Sequence, residues 1–262
     1  MSPLVLAHLH TFLVVLALAM ARVTGIMLVM PFLRRGMVTA LARNSVIMAL
    51  ALPVAGFAWA TWPADLDITS LMPMLGLGLK ELLLGCLLGM PVAATMWGVE
   101  AAGTFIDHQR GATMTSLLSP AGDNLDSALG TFLAQLYATW LFVSGGFSKL
   151  LEALYRSHDI WPLWSFHPAF GPIFVTHMLD LADLVMLLTL LLAGPAIVAM
   201  FLSELGLALV SRFAPQLEVF FLAMPVKSAV GLLLLILSLT IILASADKHM
   251  PSSILILNRI AR

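Results

Sequence analysis

Charge is what this chain has least of. Asp, Glu, Lys and Arg make up 10% of its 262 residues, and 61% are hydrophobic. Soluble domains carry roughly 25% charged residues and are about 45–50% apolar. Such scarcity excludes a soluble globular protein, because too few polar groups remain to cover the apolar surface. Mean hydropathy is +1.02, which points to a polytopic helical membrane protein. Cysteine is nearly absent too. A single one, Cys86, excludes an internal disulfide. The formal net charge of −1 leaves no footprint for nucleic acid. Catalytic patterns are missing: no G-x-S-x-G, Walker A or H-E-x-x-H occurs. Gly76-x-Gly78 lacks the Asp that an intramembrane aspartyl protease needs after it. The histidines show no metal spacing, and His8-x-His10 has no carboxylate or thiol beside it. The chain therefore reads as a non-enzyme, with no catalytic, cofactor or metal residues.

What is present is organised in apolar runs, at about 4–33, 45–62, 71–99, 128–147, 179–202 and 229–246. Each is near or above the roughly 20 residues of a spanning helix. No Lys or Arg precedes the first run, and apolar character resumes after Arg22. An uncleaved membrane segment is therefore expected there rather than a signal peptide. Two runs are too long for one straight span. The first contains Arg22-Val23-Thr24-Gly25; the third contains Lys80-Glu81, Gly85, Gly89 and Pro91. Breaks at these points would leave backbone groups that hydrocarbon cannot satisfy, so such helices must be buried in protein or line a wet cavity. The fold class is all-α, built of long broken helical hairpins with about six hydrophobic segments.

Orientation is ambiguous. Arg34, Arg35 and Arg43 place the first loop in the cytoplasm, and six crossings would then put both termini outside. Lys248, Arg259 and Arg262 argue for a cytoplasmic tail instead. Re-entrant hairpins, or a protein that is not a simple bundle in the bilayer, would remove the conflict. Met90-Pro91-Val92 recurs as Met224-Pro225-Val226, which is slight support for a repeat.

Three places carry polar groups worth a functional reading. Lys80 and Glu81 are intramembrane charges, each costing about 2.5–3.5 kcal/mol on insertion scales. They either meet a partner subunit or a wet lumen, or they mark a segment that starts near Glu81 with Lys80 snorkelling. Sequence neighbours do not face each other on a helix, so no simple pair is expected. The stretch from Glu100 to Met114 ends a helix in polar groups, and Asn124 or Asp126 is expected to cap the next one. It is either a solvated connector or a loop at the mouth of a pathway, with Arg110 held by Glu100 or Asp107. The third stretch is Arg212-Phe213-Ala214-Pro215-Gln216-Leu217-Glu218-Val219-Phe220, continuing to Pro225 and Lys227. Its prolines predict a bent hairpin tip. Glu204 and Glu218 flank the tip, and Arg212, Gln216 and Lys227 are available to neighbouring chains.

The last two stretches resemble a known family. Arg-x-x-Pro-Gln-x-x-x-Phe…Pro-x-Lys at 212–227 is similar to the signature of the T subunit of type III secretion export gates and its flagellar counterpart, the R subunit. Gly103-x-x-Ile106-Asp107-x-Gln109-Arg110-Gly111-Ala112 resembles the loop of the injectisome T subunit that helps plug the pore. Glu218 stands where the family usually has Asn. The resemblance implies a core subunit of the inner-membrane export gate, multi-pass, within the secretion-system basal body. It implies one domain over 1–262. Hairpins at 1–127 would end in a plug loop at about 104–125, and hairpins at 128–262 would carry the Pro-Gln motif. Gln109, Arg110, Gly111, Thr113 and Met114 would form the gate. Arg212, Pro215, Gln216, Phe220, Pro225 and Lys227 would carry subunit contacts. Implied partners are R-type and S-type membrane subunits, the U-type switch protein, secreted polypeptides and inner-membrane lipid. Two other readings stand beside it: a secondary transporter for a small solute, favoured by broken helices and the faint repeat, and a membrane scaffold without a pathway.

Overall fold

The computed structural model describes residues 3–31, 39–61, 71–112, 127–166, 174–213 and 219–249. Among them are seven helices and no strand. They are α1 (Pro3–Val29), α2 (Ala40–Ala60), α3 (Leu71–Gln109), α4 (Ala128–Val143), α5 (Gly146–Ile160), α6 (Phe174–Phe213) and α7 (Val219–His249). The protein is all-α and polytopic. Five of the helices are long and apolar enough to cross a membrane, or six spans if α4 and α5 count together as one broken span.

Polar residues within the apolar runs do not interrupt the helices. Arg22 to Gly25 lie inside α1, and Lys80 to Pro91 lie inside α3. The expected interruptions at these two places are therefore corrected: the side chains find partners in other helices, and the ladder continues. With 39 residues at about 1.5 Å each, α3 is about 58 Å long, nearly twice the roughly 30 Å hydrocarbon thickness. Residues 146–160 form the amphipathic α5. Leu150, Ala153, Leu154 and Ser157 are buried on one face, and an exposed Arg156–Glu152 pair (2.9 Å) marks the other.

The chain divides into two compact units. The first holds described residues of 1–93 and 145–179; the second holds those of 94–144 and 180–250. In the first unit α1 and α2 are antiparallel, since His8 and Phe12 both meet Trp59 edge-to-face. Thr39 caps α2, its hydroxyl accepting from the Ala42 N–H. Tyr155 of α5 donates to the Leu50 carbonyl of α2 (3.3 Å). The α1–α3 crossing is the tightest. A Cβ on Gly85 would strike the carbonyl oxygen of Arg22, and one on Gly25 that of Leu82. Two backbones in direct contact leave no space for side chains.

The second unit has an equivalent crossing. A Cβ on Gly103 of α3 would lie 2.8 Å from the Gly130 backbone of α4. Below it, Tyr137 donates to Thr95 (3.4 Å). Helices α6 and α7 form an antiparallel hairpin whose register is fixed at two points. Lys227 pairs with Glu204 at 2.6 Å, and Met200 packs over Gly231. Much of their apolar surface is exposed, including Met186, Leu190, Phe201, Leu233, Ile236 and Ile241, as expected of helices that meet lipid or other chains.

Gly85→Ala is expected to force α1 and α3 apart. Overpacking typically costs about 1–3 kcal/mol, so the thermal midpoint of the purified protein in detergent should fall. An unchanged midpoint would contradict the crossing.

Candidate functional site

Three sets of sequence-derived residues can be placed. The first is Lys80 and Glu81, in the third turn of α3. Both are buried, at 7% and 0% exposure, and so is Arg22 of α1 at 0%. Glu81 takes Arg22 in a two-pronged contact, Nε to Oε2 at 2.6 Å and Nη2 to Oε1 at 3.0 Å. Planar fork-to-fork pairing of this kind is the strongest ion-pair geometry. Lys80 also reaches Glu81, Nζ to Oε1 at 2.7 Å. The expectation that these neighbours would not pair is thus overturned: their Cβ atoms diverge, but both chains are long enough to curl together. The two cations then gather a run of backbone carbonyls after α5. Arg22 donates to Ser157 Oγ and the Trp161 carbonyl. Lys80 donates to the carbonyls of Pro162, Leu163 and Ser165 at 3.1, 2.9 and 2.8 Å. Two cations against one carboxylate leave an excess positive charge, which these carbonyl dipoles offset. The cluster ties α1, α3 and α5 together. Trp161 is buried within it.

The second set lies where α3 ends. The Gly111 N–H donates to the His108 carbonyl and the Ala112 N–H to the Asp107 carbonyl, both at 3.1 Å. Gly111 has φ +80°. These are the two bonds and the left-handed residue of a Schellman stop, and glycine meets that conformation without strain. The Asp107 side chain, 1% exposed, then serves both ends of the following segment. Its Oδ1 accepts from Arg110 Nε (2.7 Å) and pairs with Nη2 (2.7 Å). Its Oδ2 accepts from Ser127 Oγ (2.6 Å) and the Leu129 N–H (2.9 Å). Of the two residues expected to hold Arg110, the structure selects Asp107. The cap of α4 is Ser127, whose hydroxyl accepts from the Gly130 N–H, not Asn124 or Asp126. Asp107 adds a second acceptor from another helix, and a carboxylate at a helix N-terminus is favoured by the dipole. Gln109 is the last residue of α3, half-buried. Thr113 and Met114 lie outside the described residues, as do Asn124 and Asp126.

The third set is the Pro-Gln stretch. Arg212 is exposed in the last turn of α6. Pro215, Gln216 and Glu218 lie outside the described residues. Phe220 is in the first turn of α7, its side chain outside them. Pro225, expected at a hairpin tip, sits inside α7 and is exposed. Lys227 is turned onto Glu204 rather than left for a neighbour. Among the described residues no three His, Cys, Asp or Glu side chains gather as a metal site.

Residues 13–252 match the family described as bacterial export proteins, family 1. The chain belongs to this family. The matched span includes the Asp107 cluster and the whole 212–227 stretch. Relatives include the Yop proteins translocation protein T of Yersinia pestis, 42% identical over 222 residues, covering 82% of this chain and 84% of that protein. The surface presentation of antigens protein SpaR of Salmonella typhimurium is 32% identical over 231 residues, 88% and 84% of the two chains. The flagellar biosynthetic protein FliR of Bacillus subtilis is 27% identical over 195 residues, 74% of each. These matches bear out the family read from the two motifs. They place the chain among multi-pass membrane components of type III secretion and flagellar export.

Sequence reasoning missed Arg22, Ser127, Ser157 and the carbonyls of 161–165. A usable signal existed for the first: one Arg in the first apolar run and one Glu in the third, each costly alone.

Two measurements check the clusters. Glu81→Gln leaves Arg22 and Lys80 without a counter-charge and should cost on the order of 3–5 kcal/mol. Arg156→Ala, which breaks an exposed pair, should cost less than about 1 kcal/mol. Equal shifts in thermal midpoint would contradict the difference. Asp107→Asn removes the charge that holds Arg110, a loss of roughly 1.5–3 kcal/mol. Limited trypsin digestion should then cleave after Arg110 about tenfold faster or more; an unchanged rate would show that Asp107 does not hold it.

Proposed function

We propose that this chain is a core subunit of the inner-membrane export gate of a type III secretion system, lining part of the pore through which unfolded proteins leave. In this reading the stretch that begins at Gln109, Arg110 and Gly111 and continues through Thr113 and Met114 helps to close that pore. R-type, S-type and U-type membrane subunits cover its exposed apolar helices. The Arg212–Lys227 hairpin contributes to those contacts.

One observation carries the reading: a single buried carboxylate, Asp107, binds both ends of the 113–126 segment. A connector with no task needs no such tie. Breaking that one cluster would free Arg110 and Ser127 together. Family membership supports the rest, since relatives in both branches are named for translocation and for flagellar biosynthesis. The small-solute transporter is less well supported: the breaks expected in the first and third apolar runs are absent, and among the described residues no three His, Cys, Asp or Glu gather as an ion site.

Deleting residues 109–116 should raise the ion conductance of the assembled complex in a planar bilayer while leaving its subunit composition intact. Conductance equal to that of the parent complex would remove the closing role.

A further inference from the structure

The segment after α5 turns its backbone oxygens toward α3. The Ser165 N–H donates to the Pro162 carbonyl (3.2 Å) and closes a turn. The carbonyls of Pro162, Leu163 and Ser165 converge on the Lys80 nitrogen at 3.1, 2.9 and 2.8 Å, and Glu81 Oε1 completes the set at 2.7 Å. An ammonium has only three N–H groups, yet four oxygens surround this one. The shell is therefore arranged around a charge rather than around three directed bonds. Most of it is backbone carbonyl, the group with which potassium filters replace an ion's water.

Charge and size define what the shell accepts. Glu81 is already answered by Arg22, at 2.6 and 3.0 Å. That pair is neutral, so the Lys80 ammonium is the one positive charge the carbonyls balance. A monovalent cation in its place would keep the same balance, and a divalent one would add a charge too many. The oxygens stand 2.7–3.1 Å from the centre. Magnesium draws its ligands to about 2.0–2.1 Å and calcium to about 2.3–2.6 Å, both too close for this shell. The site also has a way in: Pro162 and Ser165 are exposed, while Leu163 between them is buried.

We propose that Glu81 Oε1 and the carbonyls of Pro162, Leu163 and Ser165 form a site for a monovalent cation, potassium or a small alkylammonium, which the chain fills with its own lysine. The tethered ammonium holds the 162–165 turn on α3 without an ion from solution. The frame of the first unit is then independent of which salt surrounds it. Without that side chain the three carbonyls lose their donor, which is costly for buried polar groups. A free cation of the same charge then takes the vacated place.

The test reads the thermal midpoint of the full chain in detergent, in potassium, ethylammonium or choline chloride at equal ionic strength. The methyl groups of choline keep its nitrogen from approaching oxygens this closely, so it serves as the inert cation. Lys80→Ala should unfold below the parent in choline chloride. At least one of potassium and ethylammonium should raise its midpoint saturably, by about 2–4 °C or more. The parent should not respond to the exchange, because its own ammonium fills the site. A Lys80→Ala midpoint equal in all three salts would overturn the site and leave water to satisfy the carbonyls. An equal response in the parent would overturn it too. Should Lys80→Ala fail to fold, Lys80→Met retains the apolar stem and vacates only the place of the nitrogen. The same comparison of salts then decides, with the same two contrary results.

Discussion

A charge buried among apolar helices has to be answered by another charge or by fixed dipoles, and in this chain that requirement decides which helices meet. In the first unit the anion is Glu81. It draws Arg22 from α1 and Lys80 from its own helix, and the surplus cation is absorbed by carbonyls at 161–165. Three helices and a turn are fixed by one carboxylate. Beside this salt bridge, glycine on both sides lets α1 and α3 approach to backbone contact at Gly25 and Gly85.

In the second unit the same rule produces a different object. Asp107 accepts from a guanidinium, a hydroxyl and a helix N-terminal N–H. Its donors come from both sides of one chain segment rather than from several distant helices. Such a network is cooperative, since each donor helps orient the carboxylate for the others. Losing one member weakens the hold on the rest. It joins the end of α3 to the start of α4 through one side chain. The Glu81 cluster, spread over many partners and fully enclosed, suits a fixed frame.

The fold class was legible from scarcity of charge alone, because a helical membrane protein is what remains when polar cover is missing. The apolar runs also located most helices. Three kinds of feature were not legible. Arg22 and Lys80-Glu81 read as helix breaks because local pattern cannot show a partner 59 residues away. Ser127 was passed over as a cap because Asn124 and Asp126 stand close by with equal local credentials. Only the position of α4 against Asp107 separates them. Pro225 read as a tip because proline usually ends a helix. Here α7 tolerates it within its second turn, where the neighbouring ladder is already near the helix start. The stretch around Gln109–Ala112 read as a helix end, and α3 does end at Gln109. The anchoring acid was left open between Glu100 and Asp107; with α3 continuous to Gln109, Asp107 lies one turn from Arg110 and Glu100 about 15 Å away along the helix. The fold chose the one that also reaches α4.

The exposed faces of α6 and α7 and the family both point to a chain that works within an assembly. Native mass spectrometry of the tagged protein, purified after co-expression with the products of neighbouring genes, measures this directly. The account predicts one copy of this chain held with several copies of other small membrane subunits. A stable solitary monomer, or a symmetric homodimer with no other chain attached, would contradict it.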